Sequence, residues 1–270
     1  MIFETIFAIQ SFRERWVKHM ASQLVWRRKM ASCFVSTIAI FSLMTGCAGP
    51  NSTYSAVSDQ IAAGESGLNS GAYDQAYGIL DGVAQGNPRS EKAMLMLGSA
   101  YFTEGAYLKA RTYYQRAAAL GATREGGIGV TRVQLAQRDY SGAQASIDAL
   151  LKRVPGDIVV LNLQGVLFDS LSQHAQAQQI YRSILAAQPD NKSALNNLAL
   201  SLMLTGAYTS SYTLEAELYR SNRNDDKIRQ NLSLMAYLSN EKDEAKALAV
   251  PFITEDQAES NFKMIEFLRR

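Results

Sequence analysis

A ten-residue pattern occurs six times between residues 71 and 249, and the first residues of successive copies are 34, 33, 34, 34 and 34 residues apart. The six segments are GAYDQAYGIL (71–80), GAYLKARTYY (105–114), RDYSGAQASI (138–147), SQHAQAQQIY (172–181), GAYTSSYTLE (206–215) and NEKDEAKALA (240–249). A fixed step of this size indicates a stacked array, in which each unit buries its apolar face against its neighbours. We therefore expect an extended surface that holds a partner, and not a globular fold around an enclosed active site.

Each repeat is predicted to contain two helices. In the second repeat, Met94, Leu97, Gly98 and Tyr101 have the spacing of one apolar helix face, and Gly105 ends that helix. Small residues recur where two helices must approach closely, and prolines follow three of the second helices. The small residues are Gly64, Gly98, Gly165 and Ala199 in first helices and Ala76, Ala110, Ala143, Ala177 and Ala245 in second helices; the prolines are Pro88, Pro155 and Pro189. Polar residues that follow the prolines, such as Asp157 and Asp190-Asn191, are predicted to cap the next helix.

Period, small residues, tyrosine and proline together resemble the tetratricopeptide repeat (TPR) over roughly residues 57–250. The chain departs from that pattern in lacking the first-helix aromatic residue and in having Ser211 where the fifth alanine is expected. The resemblance implies an all-α, right-handed superhelical solenoid of about six helix-turn-helix repeats. We expect the solenoid to span 59–253, and a helix at 254–270 to cover its last apolar face.

The N-terminal region predicts a secretory signal peptide over residues 1–46. Within 27–46, a basic cluster precedes an apolar run from Ala31 to Met44 and then small residues, which is the order of such a signal. The run has about 14 residues, fewer than the roughly 20 that a membrane-spanning helix needs. Met20 begins a signal of ordinary length, so translation from either Met1 or Met20 is an open alternative.

The residues Met44-Thr45-Gly46-Cys47 resemble the lipobox of bacterial lipoproteins. The resemblance implies cleavage between Gly46 and Cys47 and acylation of Cys47, which would anchor the chain in a membrane. Ala48 follows, and the absence of Asp there implies the outer membrane, with the protein facing the periplasm. Residues 47–58 are predicted to be the lipidated cysteine and a flexible tether. The alternative is a buried core cysteine that follows an amphipathic helix.

Composition restricts the kinds of function. Residues 47–270 carry 21 basic and 23 acidic side chains, so clustered Lys and Arg for nucleic-acid binding are not expected. The array has one histidine, His174, and no cysteine, so we expect no metal, no cofactor, no small-molecule substrate and no catalytic residue. His174 stands where other repeats have tyrosine and is interpreted as a packing substitution.

Two short motifs could suggest a binding site. We interpret Gly126, Gly127 and Gly129 as close-packing positions and not as a phosphate loop. We interpret Asp225-Asp226 as a helix cap and not as a metal site.

In the TPR family, certain first-helix positions line the concave face. Carried onto this chain, they predict a partner-binding groove formed by Leu95, Ser99, Phe102, Asn162, Val166, Asp169, Asn196, Leu200, Met203 and Gln230. Asn162, Asn196 and Gln230 would form an amide ladder with a 34-residue step. Such amides both donate and accept hydrogen bonds, so they either hold the backbone of a docked helix or strand, or face water.

Three segments, 161–191, 195–208 and 229–249, together with the final FLRR, are similar to TadD, the TPR lipoprotein family of the tight-adherence (Flp) pilus machinery. This resemblance implies a non-enzymatic periplasmic factor that binds protein partners, such as a secretin or another pilus-assembly component. A pilotin of type IV pili and a component of outer-membrane protein insertion are the alternatives.

Overall fold

The computed structural model describes the backbone of residues 50–269 and the side chains of 57–68 and 70–265. The predicted signal peptide, Gly46 and Cys47 lie outside these residues. The described part contains thirteen helices and no strand. The helices are α1 (Pro50–Ser70), α2 (Tyr73–Gly86), α3 (Glu91–Thr103), α4 (Tyr107–Leu120), α5 (Thr123–Ala136), α6 (Tyr140–Arg153), α7 (Ile158–Ser170), α8 (His174–Ala187), α9 (Lys192–Leu204), α10 (Tyr208–Ser221), α11 (Asp226–Leu238), α12 (Lys242–Ala249) and α13 (Glu255–Arg269).

The described helices fall into two units. The main unit ends at Ser239 and contains α1–α11, whereas α12 and α13 belong to a second unit, in which they pack against each other. In the main unit each helix packs against the next along the chain, so odd-numbered first helices alternate with even-numbered second helices. This arrangement confirms the expected all-α solenoid of helix pairs. Among the described helices, none has the length and apolar character needed to cross a membrane.

The core of each pair contains the last residue of the ten-residue segment. That position holds Leu80, Tyr114, Ile147, Tyr181 and Glu215 in the main unit, and all five side chains are buried. A small residue on the first helix often lies directly beneath it. A Cβ atom built on Gly98 would be 2.7 Å from the Tyr114 ring, and one built on Gly165 would overlap the Tyr181 ring. The predicted close approach of the two helices is therefore confirmed at these pairs.

Several first helices begin with a side-chain cap. Asp157 accepts hydrogen bonds from the backbone N–H groups of Val159 and Val160, at 3.0 and 3.3 Å. Asn191 accepts one from Ala194 at 3.0 Å, and Asp225 caps α11 in the same manner. These caps satisfy N–H groups that have no partner within the helix. The predicted caps at Asp157 and Asn191 and the predicted capping turn at Asp225-Asp226 are therefore confirmed.

The turn between the two helices of each repeat needs one residue in the left-handed region. Gly71, Gly105 and Gly206 occupy it with φ of 78°, 78° and 81°, and Arg138, Ser172 and Asn240 occupy it in the other repeats with φ of 60°, 61° and 73°. These six positions are the first residues of the six ten-residue segments. Glycine adopts this conformation without steric cost, whereas a side chain with a Cβ is strained there.

The third repeat contains the glycine-rich sequence around residue 127, and it lies inside helix α5. A Cβ atom on Gly126 would be 2.6 Å from the backbone oxygen of Tyr114, and one on Gly129 would overlap the Tyr114 ring. On Gly127, it would be 2.9 Å from the Leu150 side chain. The interpretation of these glycines as close-packing positions is confirmed, because α4 and α6 leave no room for a side chain.

The predicted tether over 47–58 differs from the structure, in which α1 begins at Pro50. Proline fits the first turn of a helix because its missing N–H would have no intrahelical partner there. No glycine or second proline interrupts residues 51–63, so the first helix of the first repeat extends through the polar segment. At the other end, α13 runs within the segment where a C-terminal helix was expected.

The left-handed turn position gives a stability test. We expect Ser172→Gly to stabilise the protein by about 0.5–1 kcal/mol, because glycine removes the strain of a side chain at positive φ. The matched control is Ser183→Gly in α8, where glycine loses helix propensity at a cost of about 0.5 kcal/mol. The substitution also removes the exposed hydrogen bond from the Ser183 hydroxyl to the Ile180 carbonyl, at 2.7 Å. Urea unfolding followed by far-UV circular dichroism measures both variants. A destabilising effect of the same size at both positions would contradict the assignment.

Candidate partner-binding surface

The first helices form the inner side of the array. Contacts join α1 to α3, α3 to α5, α5 to α7, α7 to α9 and α9 to α11, whereas no contact of comparable extent joins two second helices in the described residues. Helices that meet across repeat boundaries lie on the side toward which a solenoid curves. The predicted groove positions are all on these first helices.

The second repeat contributes Leu95, Ser99 and Phe102 of α3. Ser99 is exposed, and Leu95 and Phe102 are half-buried because they pack against the core of the first two repeats. The Phe102 ring lies 5.7 Å from the Tyr107 ring, with the planes tilted by 54°. This part of the inner side therefore offers partly accessible apolar surface next to a hydroxyl group.

An amide network connects the first helices of the last three repeats. Asn197 donates to the Oδ1 atom of Asn162 at 3.1 Å, and Asn231 donates to the Oδ1 atom of Asn196 at 2.7 Å. Asn196 in turn donates to Asn197 at 3.2 Å. The bonds between helices span 35 residues, so the ladder predicted with a step of 34 is corrected. Asn162 and Asn196 hold neighbouring repeats together, and the sequence interpretation missed the roles of Asn197 and Asn231.

Val166, Leu200 and Gln230 remain as partly accessible groove residues. All three are half-buried, and the Gln230 amide has no hydrogen-bond partner among the described residues. Met203 is 7% exposed and belongs to the core of the fifth repeat, so it contributes little surface. Of the groove positions predicted in the last three repeats, Val166, Leu200 and Gln230 are therefore half-buried residues without a side-chain hydrogen bond among the described residues.

Asp169 is a predicted groove residue that serves the interior of the array. Its carboxylate contacts His174 Nδ1 at 2.8 Å and accepts hydrogen bonds from Ser201 at 2.7 Å and Tyr181 at 3.1 Å. Burial, followed by the nearby Asp169 charge, raises the pKa of the Tyr181 hydroxyl, which therefore stays a donor. Asp169 joins α7, α8 and α9, so its role is to position helices.

This cluster contains Ser, His and Asp, but its geometry differs from that of a catalytic triad. Ser201 and His174 both contact the same Oδ1 atom of Asp169, so the serine hydroxyl donates to the carboxylate and not to the imidazole. A nucleophilic serine needs the imidazole as its base. His174 therefore takes a packing position, as the sequence interpretation predicted. It occupies the position of Tyr107 in the second repeat and contacts Asp169, whereas Tyr107 contacts the Phe102 ring. In the part of the chain that the structure describes, no cluster of His, Cys, Asp or Glu has the arrangement of a metal site.

Three tyrosine rings form a stack across the first two repeats. The Tyr77 and Tyr101 rings are 4.9 Å apart and the Tyr101 and Tyr113 rings are 5.5 Å apart, with interplanar angles of 20° and 11°. Asp81 accepts a hydrogen bond from Tyr113 at 2.9 Å, and burial together with this bond raises the pKa of Tyr113 to about 12. The stack connects α2, α3 and α4 and stiffens this end of the array. The sequence analysis did not single it out, although the density of tyrosine in these repeats was the available signal.

Comparison with known proteins supports the assignment of the fold. A profile of the tetratricopeptide repeat matches residues 61–125 and 162–226, two segments whose starts lie 101 residues, or three repeats, apart. The fold and this match together define the described part of the chain as a solenoid of tetratricopeptide repeats. One curated relative, the uncharacterized protein y4yS of Sinorhizobium fredii (strain NBRC 101917 / NGR234), is 32% identical over 82 residues. That alignment covers 30% of this chain and 45% of the relative, so less than half of the relative's length is matched.

Three solved structures have a similar fold at low sequence identity. The thermophilic TPR protein TTC0263 of Thermus thermophilus has a TM-score of 0.60 and 15% identity, and the match covers 66% of this chain and 98% of that one. PilW, a type IV pilus biogenesis factor, has a TM-score of 0.59 and 17% identity, with coverage of 75% and 97%. PilF of Pseudomonas aeruginosa has a TM-score of 0.54 and 18% identity, with coverage of 78% and 99%.

The amide network predicts different effects for two residues of the same repeat register. Asn196→Ala removes two hydrogen bonds and is expected to destabilise the protein by about 1–2 kcal/mol. Gln230→Ala removes an amide without such bonds and is expected to change stability by less than about 0.5 kcal/mol. Urea unfolding midpoints compare the two variants directly. Equal losses would show that the network does not connect the repeats.

Proposed function

We propose that this protein is a non-enzymatic scaffold that binds protein partners during assembly of a tight-adherence (Flp) pilus. The observation that carries the proposal is the inner side of the TPR solenoid, where Val166, Leu200 and Gln230 form a partly accessible strip. Such a strip fits an apolar helix or extended segment better than a free carboxylate terminus, because its helices lack a cluster of cations. The charged residues are Asp169 in α7, Lys192 in α9, and Asp226, Lys227 and Arg229 in α11.

The pilus context rests on two likenesses. The downstream repeats resemble TadD in sequence, and the fold is similar to that of PilW, a pilus biogenesis factor. A fold is shared by proteins of many functions, so the pilus assignment follows the sequence resemblance to TadD and not the fold alone. A secretin or another pilus-assembly component is the proposed partner. A pilotin-like role in type IV pili and a role in outer-membrane protein assembly are the second candidates, because the same fold and anchor would suit them.

The proposed location is the periplasmic side of the outer membrane, with a lipid anchor at Cys47. The support is the order of basic cluster, apolar run and small residues before Cys47 in the sequence. A cysteine with three acyl chains would be held far more firmly than one with a single chain, since each buried methylene contributes about 0.8 kcal/mol.

The anchor is tested by Cys47→Ser. We expect this variant to accumulate as an uncleaved precursor without lipid, because the acylated sulfur is missing. Intact-mass analysis and membrane fractionation measure cleavage, acylation and location in one preparation, and Cys33→Ser is the matched control that should be processed normally. Processing and outer-membrane location of the Cys47→Ser variant would contradict the lipobox.

The pilus role is tested by deleting the gene in its host and scoring surface pili and secretin multimers. We expect both to be lost and to return with the wild-type gene. A groove variant that combines Leu200→Glu and Gln230→Ala is expected to restore neither, because it places a charge on the apolar strip and removes the free amide. The control is Leu108→Glu, which changes a leucine that is 77% exposed on a second helix.

The outcomes of this experiment separate the candidates. Normal pili and secretin multimers in the deletion strain, with reduced outer-membrane protein insertion, would overturn the pilus role and favour the outer-membrane assembly role. Full rescue by the groove variant, with unchanged circular dichroism, would show that the partner binds elsewhere. If the Leu108→Glu control also failed to restore pili and secretin multimers, the loss in the groove variant could not be assigned to the inner side.

A further inference from the structure

Glu215 occupies a position that the other repeats reserve for an apolar or aromatic side chain. It is the last residue of the fifth ten-residue segment, in α10, and its equivalents include Leu80, Tyr114, Ile147 and Tyr181. Glu215 is 0% exposed, as deeply buried as Leu80 and Tyr181. A carboxyl group therefore lies in the core where α9, α10 and α11 pack together.

The surroundings of Glu215 do not compensate a negative charge. Neither carboxylate oxygen has a hydrogen-bond partner among the described residues. The Asn231 side chain of α11 lies near enough to favour the charged form, but it makes no hydrogen bond of ordinary geometry to the carboxylate. Asn231 also donates to Asn196 at 2.7 Å, so Glu215 adjoins the amide network of the inner side.

The charged residues of the packed helices also leave Glu215 uncompensated. In α9, Lys192 is the charged residue, and it pairs with Asp225 at 3.6 Å. The cap and first turns of α11 carry Asp225, Asp226, Lys227 and Arg229, and α10 itself carries Glu217 and Arg220. Of these, Asp225 acts on Glu215 and disfavours its charge. In the described residues, none of the lysines or arginines of these helices stabilises the carboxylate.

We propose that Glu215 is a proton-dependent latch between α10 and α11: the neutral acid packs as the apolar residues of other repeats do, and its ionisation loosens α11 and the adjoining Asn231–Asn196 contact. The latch acts on the array itself and does not depend on the identity of any partner. It would make the inner side of the last repeats sensitive to pH, since Asn231 belongs to both the α10–α11 junction and the amide network and donates to Asn196 of α9.

The sign of the pH dependence follows from the folded and unfolded states. Burial raises the pKa of Glu215 to about 8, an effect that Asn231 reduces and Asp225 increases. An unfolded glutamate releases its proton near pH 4.3. Between these values the folded protein holds a proton that the unfolded chain has lost, so stability falls as pH rises through this window and becomes level above it.

The experiment compares the wild-type protein with Glu215→Gln between pH 5 and pH 9. Hydrogen exchange read by mass spectrometry, corrected for intrinsic exchange rates, gives the opening equilibrium of α10 and α11. We expect the ratio of wild-type to variant opening constants to rise by up to about tenfold per pH unit within the window, and to be constant above it. The helices α5 and α6 serve as an internal reference and should show no such change.

Two further variants keep the proposal falsifiable. Glu217→Gln changes an exposed glutamate of the same helix and should leave the pH dependence unchanged. Asn231→Ala removes the amide that favours the charged form and should move the upper limit of the window, which is the folded pKa of Glu215, to higher pH. A pH-independent ratio for Glu215→Gln would overturn the latch, and an unmoved window in Asn231→Ala would overturn its connection to the amide network. Partner capture plays no part in these measurements, so their outcome is independent of the pilus role.

Discussion

The close approach of a small residue on the first helix to a large residue on the second is the contact on which the solenoid depends. Gly98 beneath Tyr114 and Gly165 beneath Tyr181 leave no space for a Cβ atom, and each such pair sets the distance at which two helices pack. A residue at positive φ then reverses the chain at the same place in each repeat. Because distance and turn are both repeated, the helix pairs are alike, and a stack of like pairs creates a continuous inner side.

Features fixed by short stretches of chain were predictable from the sequence, and contacts between repeats were not. The caps Asp157 and Asn191 act within three residues, so the polar residue after each proline was a sufficient signal. The Asn197–Asn162 bond depends on the offset between two packed helices, which a 34-residue register does not specify. The sequence analysis also missed the start of α1 at Pro50. The polar composition of this segment indicated a flexible tether, but a proline is compatible with a helix when it lies in the first turn.

The amide network limits what the inner side offers to a partner. Side-chain amides on a concave surface indicate recognition of a backbone, but Asn162 and Asn196 use their acceptors on neighbouring repeats. A partly buried hydrogen bond that fixes two helices is lost if a ligand displaces it, so the network opposes binding that would require its rearrangement. Partner binding at this end then depends mainly on Val166 and Leu200, and a hydrogen bond from the Gln230 amide would orient the bound segment. The apolar part of a partner segment would therefore supply most of the affinity.

Three buried or half-buried carboxylates, those of Asp157, Asp169 and Glu215, differ in the hydrogen-bond and ion-pair partners that stabilise their charge. Arg124 donates to Asp157 at 2.9 Å and, with the backbone N–H groups of α7, holds the pKa of that carboxyl below its usual range. Asp169 accepts hydrogen bonds from the Ser201 and Tyr181 hydroxyls and contacts His174, so it joins three helices. Glu215 has neither an arginine nor a set of donors. An uncompensated acid in the core makes the stability of its own junction depend on a proton. The latch proposed at Glu215 would therefore act at one helix junction, α10 against α11, where a carboxyl group lies in the core without a hydrogen-bond partner among the described residues.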